Sequence, residues 1–202
     1  MLEYQNLTVR IAGGDDADVV ASIITEVSEG MVEHLLEGSL SGFSAEKILA
    51  LILSRGSGNL NLMNVFLVEV DHKLAGLLYA YDSKEQTISP IMESFLGKSK
   101  LDDLRPILEA KVEEAFWINT LWVHEEFRGK GLAQLLMELA EELARDRGFK
   151  YLALHCWADN SRGKRFYESQ RFKRKGVIET AEVLKKRHPE AGELWVKRIK
   201  TQ

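Results

Sequence analysis

The sequence lacks the features that mark secreted and membrane proteins. Cys156 is its only cysteine, so no disulfide can form within the chain, and a reducing, cytoplasmic compartment is expected. The longest uninterrupted apolar run, Ile48 to Leu53, is far too short to span a bilayer. The first residues have neither the cationic start nor the apolar stretch of a secretory signal. We therefore expect no membrane partner.

An excess of positive charge is also missing. The chain carries 27 Lys and Arg against 31 Asp and Glu, a net charge of −4, which argues against a nucleic-acid partner. The charge is unevenly distributed: residues 1–120 have 9 basic and 19 acidic side chains, and residues 121–202 have 18 and 12. This asymmetry suits an anionic ligand in the C-terminal part and a cationic one in the N-terminal part, although chance patterning of solvated surface would look the same.

The composition is that of an ordinary globular domain. Hydrophobic residues make up 45% and charged residues 29% of the 202 residues, which predicts a single domain over residues 1–202 with its core at about 7–199. Alternating and β-rich segments predict strands at 7–11, 65–70, 74–81, 116–123, 151–157, from 172 and at 193–199. Helical spacing predicts helices at 17–27, 31–36, after Ser44, at 131–147, from Asn160 or Ser161 through Glu168, and near 181–187. Residues 82–115 exceed a normal connection and indicate a helical insertion.

A strand, a glycine-bearing turn and a helix start follow one another around residues 121–133. Such a junction directs unpaired backbone N–H groups and the positive end of a helix dipole at one spot, and phosphates are its usual occupants. The Walker pattern is absent, and the dinucleotide fingerprint fails because Gln134 stands where its last glycine belongs. The pattern that matches is Arg128-x-x-Gly131-x-Ala133.

With its strand, this motif resembles the pyrophosphate-binding motif of the GNAT superfamily, the acyl-CoA-dependent N-acetyltransferases. Asn160 after the next strand and Tyr167 on the next helix also resemble that family's pattern, and the order of elements is similar over nearly the full chain. One departure is Gly163, where an alanine is common. The resemblance implies an α/β (α+β) domain with a mixed, mostly antiparallel sheet flanked by helices.

The resemblance also implies an activity: transfer of an acetyl group from acetyl-CoA, a co-substrate, to an amine that attacks the thioester directly. Tyr167 would be the catalytic residue, assisting departure of the thiolate. Splayed strands around Val123 and Tyr151 would leave backbone groups for pantetheine. The expected cofactor-binding residues are Leu121, Val123, Arg128, Gly129, Lys130, Gly131, Leu132, Ala133 and Asn160.

The general base stays open. The positions comparable to those that carry it in some family members are Trp117 and Asn119, and neither is a base. Substitutes are His155, Glu69, Asp82, Glu93 or His124, each with an ordinary structural role as the alternative, or proton loss through ordered water. Cys156 is expected to be an inert buried thiol, not a nucleophile. The five histidines show no metal-ligand spacing, so no metal is predicted.

The acceptor is expected to be a small cationic amine or a peptide amine. The insertion 82–115 has eight acidic and five basic residues and, by the family fold, would lie over the acceptor side of the cleft. Two alternatives remain: a transferase that uses another acyl-CoA, and a non-catalytic, CoA-responsive binding module. The sequence also leaves a homodimer open.

Overall fold

A single mixed sheet runs through the described part of the chain, which comprises residues 6–56, 58–88, 92–93 and 96–200 of a computed structural model. Its strand order is β1-β2-β3-β4-β5-β7-β6. The strands are β1 (Leu7–Ile11), β2 (Val65–Val70), β3 (Lys73–Asp82), β4 (Ala115–Val123), β5 (Tyr151–Trp157), β6 (Lys173–Ile178) and β7 (Gly192–Arg198). The longer helices are α1 (Ala17–Ser28), α2 (Met31–Leu36), α3 (Ala45–Arg55), α4 (Lys98–Leu108), α5 (Leu132–Asp146) and α6 (Ser161–Ser169). The predicted fold class is confirmed.

Strand pairing is antiparallel everywhere in this sheet except between β4 and β5. The β2–β3 hairpin turns at Asp71 and His72, whose φ angles of 50° and 63° match the backbone twist that two-residue hairpins favour. The parallel pairing covers only residues 115–118 of β4 and 151–154 of β5. The strands therefore separate beyond Ile118 and Leu154. The expected opening near Tyr151 was wrong, because Tyr151 is paired with Ala115.

Helices cover both faces of the sheet, so the side chains of each strand alternate between two apolar clusters. The first cluster lies under α1 to α4 and includes Trp117 and Trp157. The second lies under α5 and includes Cys156 and Phe172. This period-two alternation follows from the pleat of the strands.

The helix that follows the glycine turn is set on the sheet by its apolar stripe. In α5 the residues Leu132, Leu136 and Ala140 are buried at helical spacing, together with Met137 and Ala144. A β-carbon at Gly76 of β3 would lie 3.1 Å from a Leu136 methyl and 3.4 Å from a Leu132 methyl. Glycine at this position thus lets the first turns of α5 approach the sheet closely, which fixes the helix N-terminus beside β4.

Two further predictions about helices can be compared with the structure. Near 181–187 only a 3₁₀ turn forms, Glu182–Leu184, and Pro189 has no N–H with which to continue it. The insertion contains α4 and a 3₁₀ turn at Ser83–Glu85; its residues 89–91 and 94–95 lie outside the described part. Within the described residues, no helix combines the length and apolarity needed to cross a membrane.

Candidate active site

The gap between β4 and β5 opens into a cavity of about 790 Å³. A bulge in β4 contributes to the separation: Thr120 pairs with Tyr79 and Ile118 with Ala80, so Asn119 is the extra residue. The cavity is lined by Trp117 and Trp157 from the first apolar cluster and by Leu132, Cys156 and Tyr167 from the second cluster or its edge. It therefore connects the two faces of the sheet.

One end of the cavity is built by the turn that precedes α5. Gly129 and Gly131 have φ angles of 74° and 85°, a region that glycine adopts without strain. The first backbone bond of α5 runs from the Leu135 N–H to the Gly131 carbonyl, 3.1 Å, so the preceding N–H groups are those that a helix start leaves unpaired. The first turn of α5 has no acidic residue, and Arg128 is held by a 3.0 Å bond from its Nε to the Val123 carbonyl. This end suits a pyrophosphate.

The structure brings together nearly all the residues expected to contact the cofactor. Those that line the cavity are Leu121, Val123, Arg128, Gly129, Gly131, Leu132, Ala133 and Asn160, together with Tyr167. Lys130 is not in this lining; its Nζ lies 5.8 Å from the centre of the Phe127 ring. We infer that the Lys130 side chain packs on its own turn.

Asn160 caps α6 with its side chain. Its Oδ1 accepts a 2.8 Å hydrogen bond from the Gly163 N–H. A β-carbon at Gly163 would lie 2.8 Å from Asn160 Nδ2. The glycine that departs from the family pattern therefore lets the Asn160 amide lie against the helix backbone in this chain.

Tyr167 and Cys156 share the α5 side of the cavity. The Tyr167 ring is edge-on to Phe166 and tilted against Phe172, at centroid distances of 5.6 and 5.8 Å. Burial raises the pKa of Tyr167 above its ordinary value, so the hydroxyl stays protonated and can donate. Burial, with a contribution from the Glu193 carboxylate, raises the pKa of the Cys156 thiol to about 12. Cys156 is therefore a thiol at neutral pH and a poor nucleophile.

Of the five substitutes for a general base, His155 is the one that lines the cavity. Burial, with a smaller effect of His188, lowers the pKa of His155 to about 4. Its ring is held over Gly192 of β7, where a β-carbon would lie 2.2 Å from Nε2. A neutral imidazole of such low basicity takes a proton from an ammonium group poorly. Glu69 is engaged elsewhere, bonded to Arg10 at 2.8 Å.

At the β4 bulge, Asn119 belongs to a hydrogen-bonded chain of polar side chains. Thr120 Oγ1 donates to Asn119 Oδ1 (3.0 Å), Asn119 Nδ2 donates to the Tyr81 hydroxyl (3.1 Å), and Tyr81 donates to Gln86 Oε1 (2.5 Å). Amide groups cannot pass a proton along such a chain as hydroxyls do. The chain therefore fixes the bulge and leaves Asn119 without a role as base.

Charged side chains are separated along the cavity. Arg128 and Arg162 line the end near α5 and α6, and Glu26 and Glu29 line the end near the C-terminus of α1. The insertion reaches the cavity through Gln86, Ile107 and Leu108, and none of its eight acidic residues, all of them described, is in the lining. The acidic side chains of the cavity thus come from the end of α1. The expectation that the acidic residues of 82–115 would lie over the cleft is not met.

Three charged lining residues were not found from the sequence: Glu26, Glu29 and Arg162. The first two belong to a helix with no motif, and Arg162 lies inside the matched segment but at a position without a fixed residue type. The sequence signal that pointed to them was the opposite net charge of the two parts of the chain, acidic in residues 1–120 and basic in residues 121–202. Within the described residues, no group of three or more His, Cys, Asp or Glu side chains could hold a metal ion.

Comparison with known proteins agrees with this geometry. Residues 61–172 match the acetyltransferase (GNAT) family. The chain is 45% identical over 56 residues to an uncharacterized N-acetyltransferase, YdgE, of Bacillus subtilis, which covers 28% of this chain and 35% of that protein. It is 44% identical over 57 residues to an uncharacterized N-acetyltransferase of Archaeoglobus fulgidus, covering 28% and 39%. These matches span well under half of the relatives' own length.

The whole fold is also shared with solved structures. An N-acetyltransferase from Staphylococcus aureus Mu50 superimposes with a TM-score of 0.69 over 94% of this chain and 100% of that one, at 18% sequence identity. Since the family match covers more than half of the 202 residues, the chain belongs to the acetyltransferase (GNAT) family.

Proposed function

We propose that this protein transfers an acetyl group from acetyl-CoA to the amine of a cationic acceptor, a small molecule or a peptide, by direct attack in a ternary complex. The observation that carries the proposal is one cavity through the sheet gap, with the Arg128–Ala133 turn and Tyr167 on one side and the carboxylates of Glu26 and Glu29 on the other. Acetyl-CoA supplies a thioester that an amine can attack. The single cysteine favours the cytoplasm as the place of action.

The residues near α5 would bind the phosphates of the co-substrate. The unpaired N–H groups at the start of α5, the helix dipole and the Arg128 and Arg162 guanidinium groups all favour an anion. The unpaired strand edges beyond Ile118 and Leu154 would receive the pantetheine amides, since they leave backbone donors and acceptors in the cavity wall.

The residues at the end of α1 would bind the acceptor. Glu26 is exposed, lines the cavity and forms no ion pair with any described residue. A carboxylate in a concave site raises the local concentration of a cation, and this attraction weakens as salt rises. The acceptor amine would then lose its proton to solvent, because His155 is too weakly basic to remove it efficiently.

The side chains of the cavity favour direct attack over an acyl-enzyme. The Cys156 thiol is 5% exposed and its raised pKa leaves almost no thiolate at neutral pH. Tyr167 would donate a hydrogen bond or proton to the departing thiolate, since its hydroxyl is protonated throughout the physiological range. Placement of the amine beside the thioester would supply a large part of the rate enhancement.

Binding and turnover test the proposal separately. Calorimetry should show CoA binding to the wild type and at least about tenfold weaker binding to Gly131→Asp. The substitution places a carboxylate in the turn that is proposed to bind the phosphates. Release of free thiol from acetyl-CoA across a panel of amines measures transfer, and the acetylated product is identified by mass spectrometry. A protein that binds CoA but acetylates no amine would be a binding module and not an enzyme.

Gly148→Asp is the matched control for Gly131→Asp. Gly148 follows the other end of α5 and has a φ of 76°, close to the 85° of Gly131. Both variants incur the same cost of a side chain in the left-handed region, which Asp tolerates better than most residues. If the two variants lose CoA affinity equally, or if neither loses it, the turn is not the phosphate site.

A further inference from the structure

His188 is a buried histidine in the loop between β6 and β7, beside the acidic end of the cavity. The loop closes at its base through a 2.5 Å bond from Thr180 Oγ1 to the Glu190 carbonyl. Three exposed basic residues, Lys185, Lys186 and Arg187, come directly before His188, which is itself only 3% exposed. His188 is thus buried while the three residues before it lie in solvent.

The His188 ring lies between two carboxylates. Its Nδ1 lies 3.2 Å from a carboxylate oxygen of Asp159, and its Nε2 lies 3.1 Å from a carboxylate oxygen of Glu29. The Nδ1 contact with Asp159 is a hydrogen bond, and the Nε2 contact with Glu29 is a close approach without hydrogen-bond geometry. The ring also stacks on Trp157, with a centroid distance of 4.0 Å and an interplanar angle of 4°. His155 also contacts Trp157, edge-on at a centroid distance of 4.6 Å.

These contacts join three separate parts of the chain around the cavity. Glu29 ends α1, Asp159 lies between β5 and α6, and Trp157 is the last residue of β5. Glu29 has a φ of 50°, a left-handed conformation that is uncommon for a residue with a side chain and that surrounding contacts must hold. Glu29 and Trp157 both line the cavity, so His188 contacts two of the lining residues without being in the lining itself.

We propose that His188 is a positioning residue for the acceptor: held between Glu29 and Asp159 and stacked on Trp157, it fixes the acceptor end of the cavity and ties the β6–β7 loop to it. Glu26 remains free for the cationic acceptor, while Glu29 is occupied by His188. This inference rests on the proposed function for its consequence in catalysis, but the contact itself can be tested without turnover.

The first experiment compares steady-state kinetics of the wild type and His188→Gln with the best amine found. We expect KM for the amine to rise about tenfold, as for loss of a polar contact with a carboxylate, with kcat changed less than about threefold and CoA affinity unchanged. Glu29→Gln should raise KM as well, and the double variant should be no worse than the worse single one, because both changes remove one contact. An unchanged KM in His188→Gln, or additive effects of the two changes, would overturn the proposal.

The second experiment uses trypsin on the CoA-saturated full chain. The exposed Lys185, Lys186 and Arg187 are cleavage sites, and cleavage follows the population of the opened loop. We expect cleavage there to be at least about fivefold faster in His188→Gln. His72→Asn, a change in the exposed β2–β3 turn where Asn tolerates the positive φ, is the control and should match the wild type in both experiments.

The two readouts separate the inference from the function on which it rests. Unchanged cleavage in His188→Gln would refute the contact itself. Faster cleavage with an unchanged KM would refute the positioning role. If no amine is acetylated by the wild type, the proposed function fails, and the cleavage result alone decides whether His188 holds the loop.

Discussion

Replacing Tyr167 by Phe should separate chemistry from binding at this site. The change removes the hydroxyl and keeps the ring, which contacts Phe166 and Phe172 at 5.6 and 5.8 Å between centroids. No described side chain is hydrogen-bonded to the Tyr167 hydroxyl, so the variant leaves no protein group without its partner. We therefore expect the free energy of unfolding to change by less than about 1 kcal/mol.

The expected loss of activity is much larger. A general acid that protonates a leaving group contributes about 10²- to 10⁴-fold, so kcat should fall within that range. Affinity for acetyl-CoA should stay within about twofold of the wild type, since the interaction is made with the departing thiolate and not with the bound thioester.

The pH dependence gives an independent check. The neutral phenol is the active form, and burial raises the pKa of Tyr167 above its ordinary value of about 10. Activity that depends on this proton is complete below the raised pKa and is lost only above it. The kcat of the wild type should therefore show no fall on the alkaline side between about pH 7 and 9.

Single-turnover thiol release would measure the chemical step directly. A loss of less than about threefold in that step would assign Tyr167 to packing alone.

Two other changes test the Glu26 side of the cavity and the packing of the His155 ring on Gly192. Glu26→Gln should raise KM for a cationic amine about fivefold and reduce the dependence of KM on salt. Glu46→Gln, on the exposed start of α3, is the control, and an equal salt dependence in both variants would contradict a role for Glu26. Gly192→Ala should lower the free energy of unfolding by about 1–3 kcal/mol, because the new methyl would lie 2.2 Å from His155 Nε2; an unchanged urea midpoint would show that the His155 ring moves freely.

Segments with strong local patterns were predictable from the sequence. The apolar stripe of α5 and its glycine ends located the helix to within a residue or two, and β5 was predicted at its observed bounds, Tyr151–Trp157. These segments bury one face against the sheet, so the period of their apolar residues reports their structure directly. The turn before α5 was predictable for a related reason: glycines at positive φ and an arginine at fixed spacing are local requirements of that backbone.

The gap between β4 and β5 was only partly predictable. That the strands separate was implied by the family resemblance, but the point of separation is set by the register of Ala115 with Tyr151 and by the extra residue at Asn119. Register depends on pairing between strands far apart in sequence, which no local pattern specifies.

The sequence by itself indicated the family, most of the elements and the glycine turn before α5, because each rests on residues close together in the chain. Only the tertiary structure decided which acidic groups line the cavity. The insertion 82–115 has eight acidic residues, yet none of them lines the cavity, whereas Glu26 and Glu29 do. The same holds for His188, which meets Glu29 across 159 positions of sequence because α1 and the β6–β7 loop pack side by side. Charge acts through distance in space, and that distance is fixed by folding.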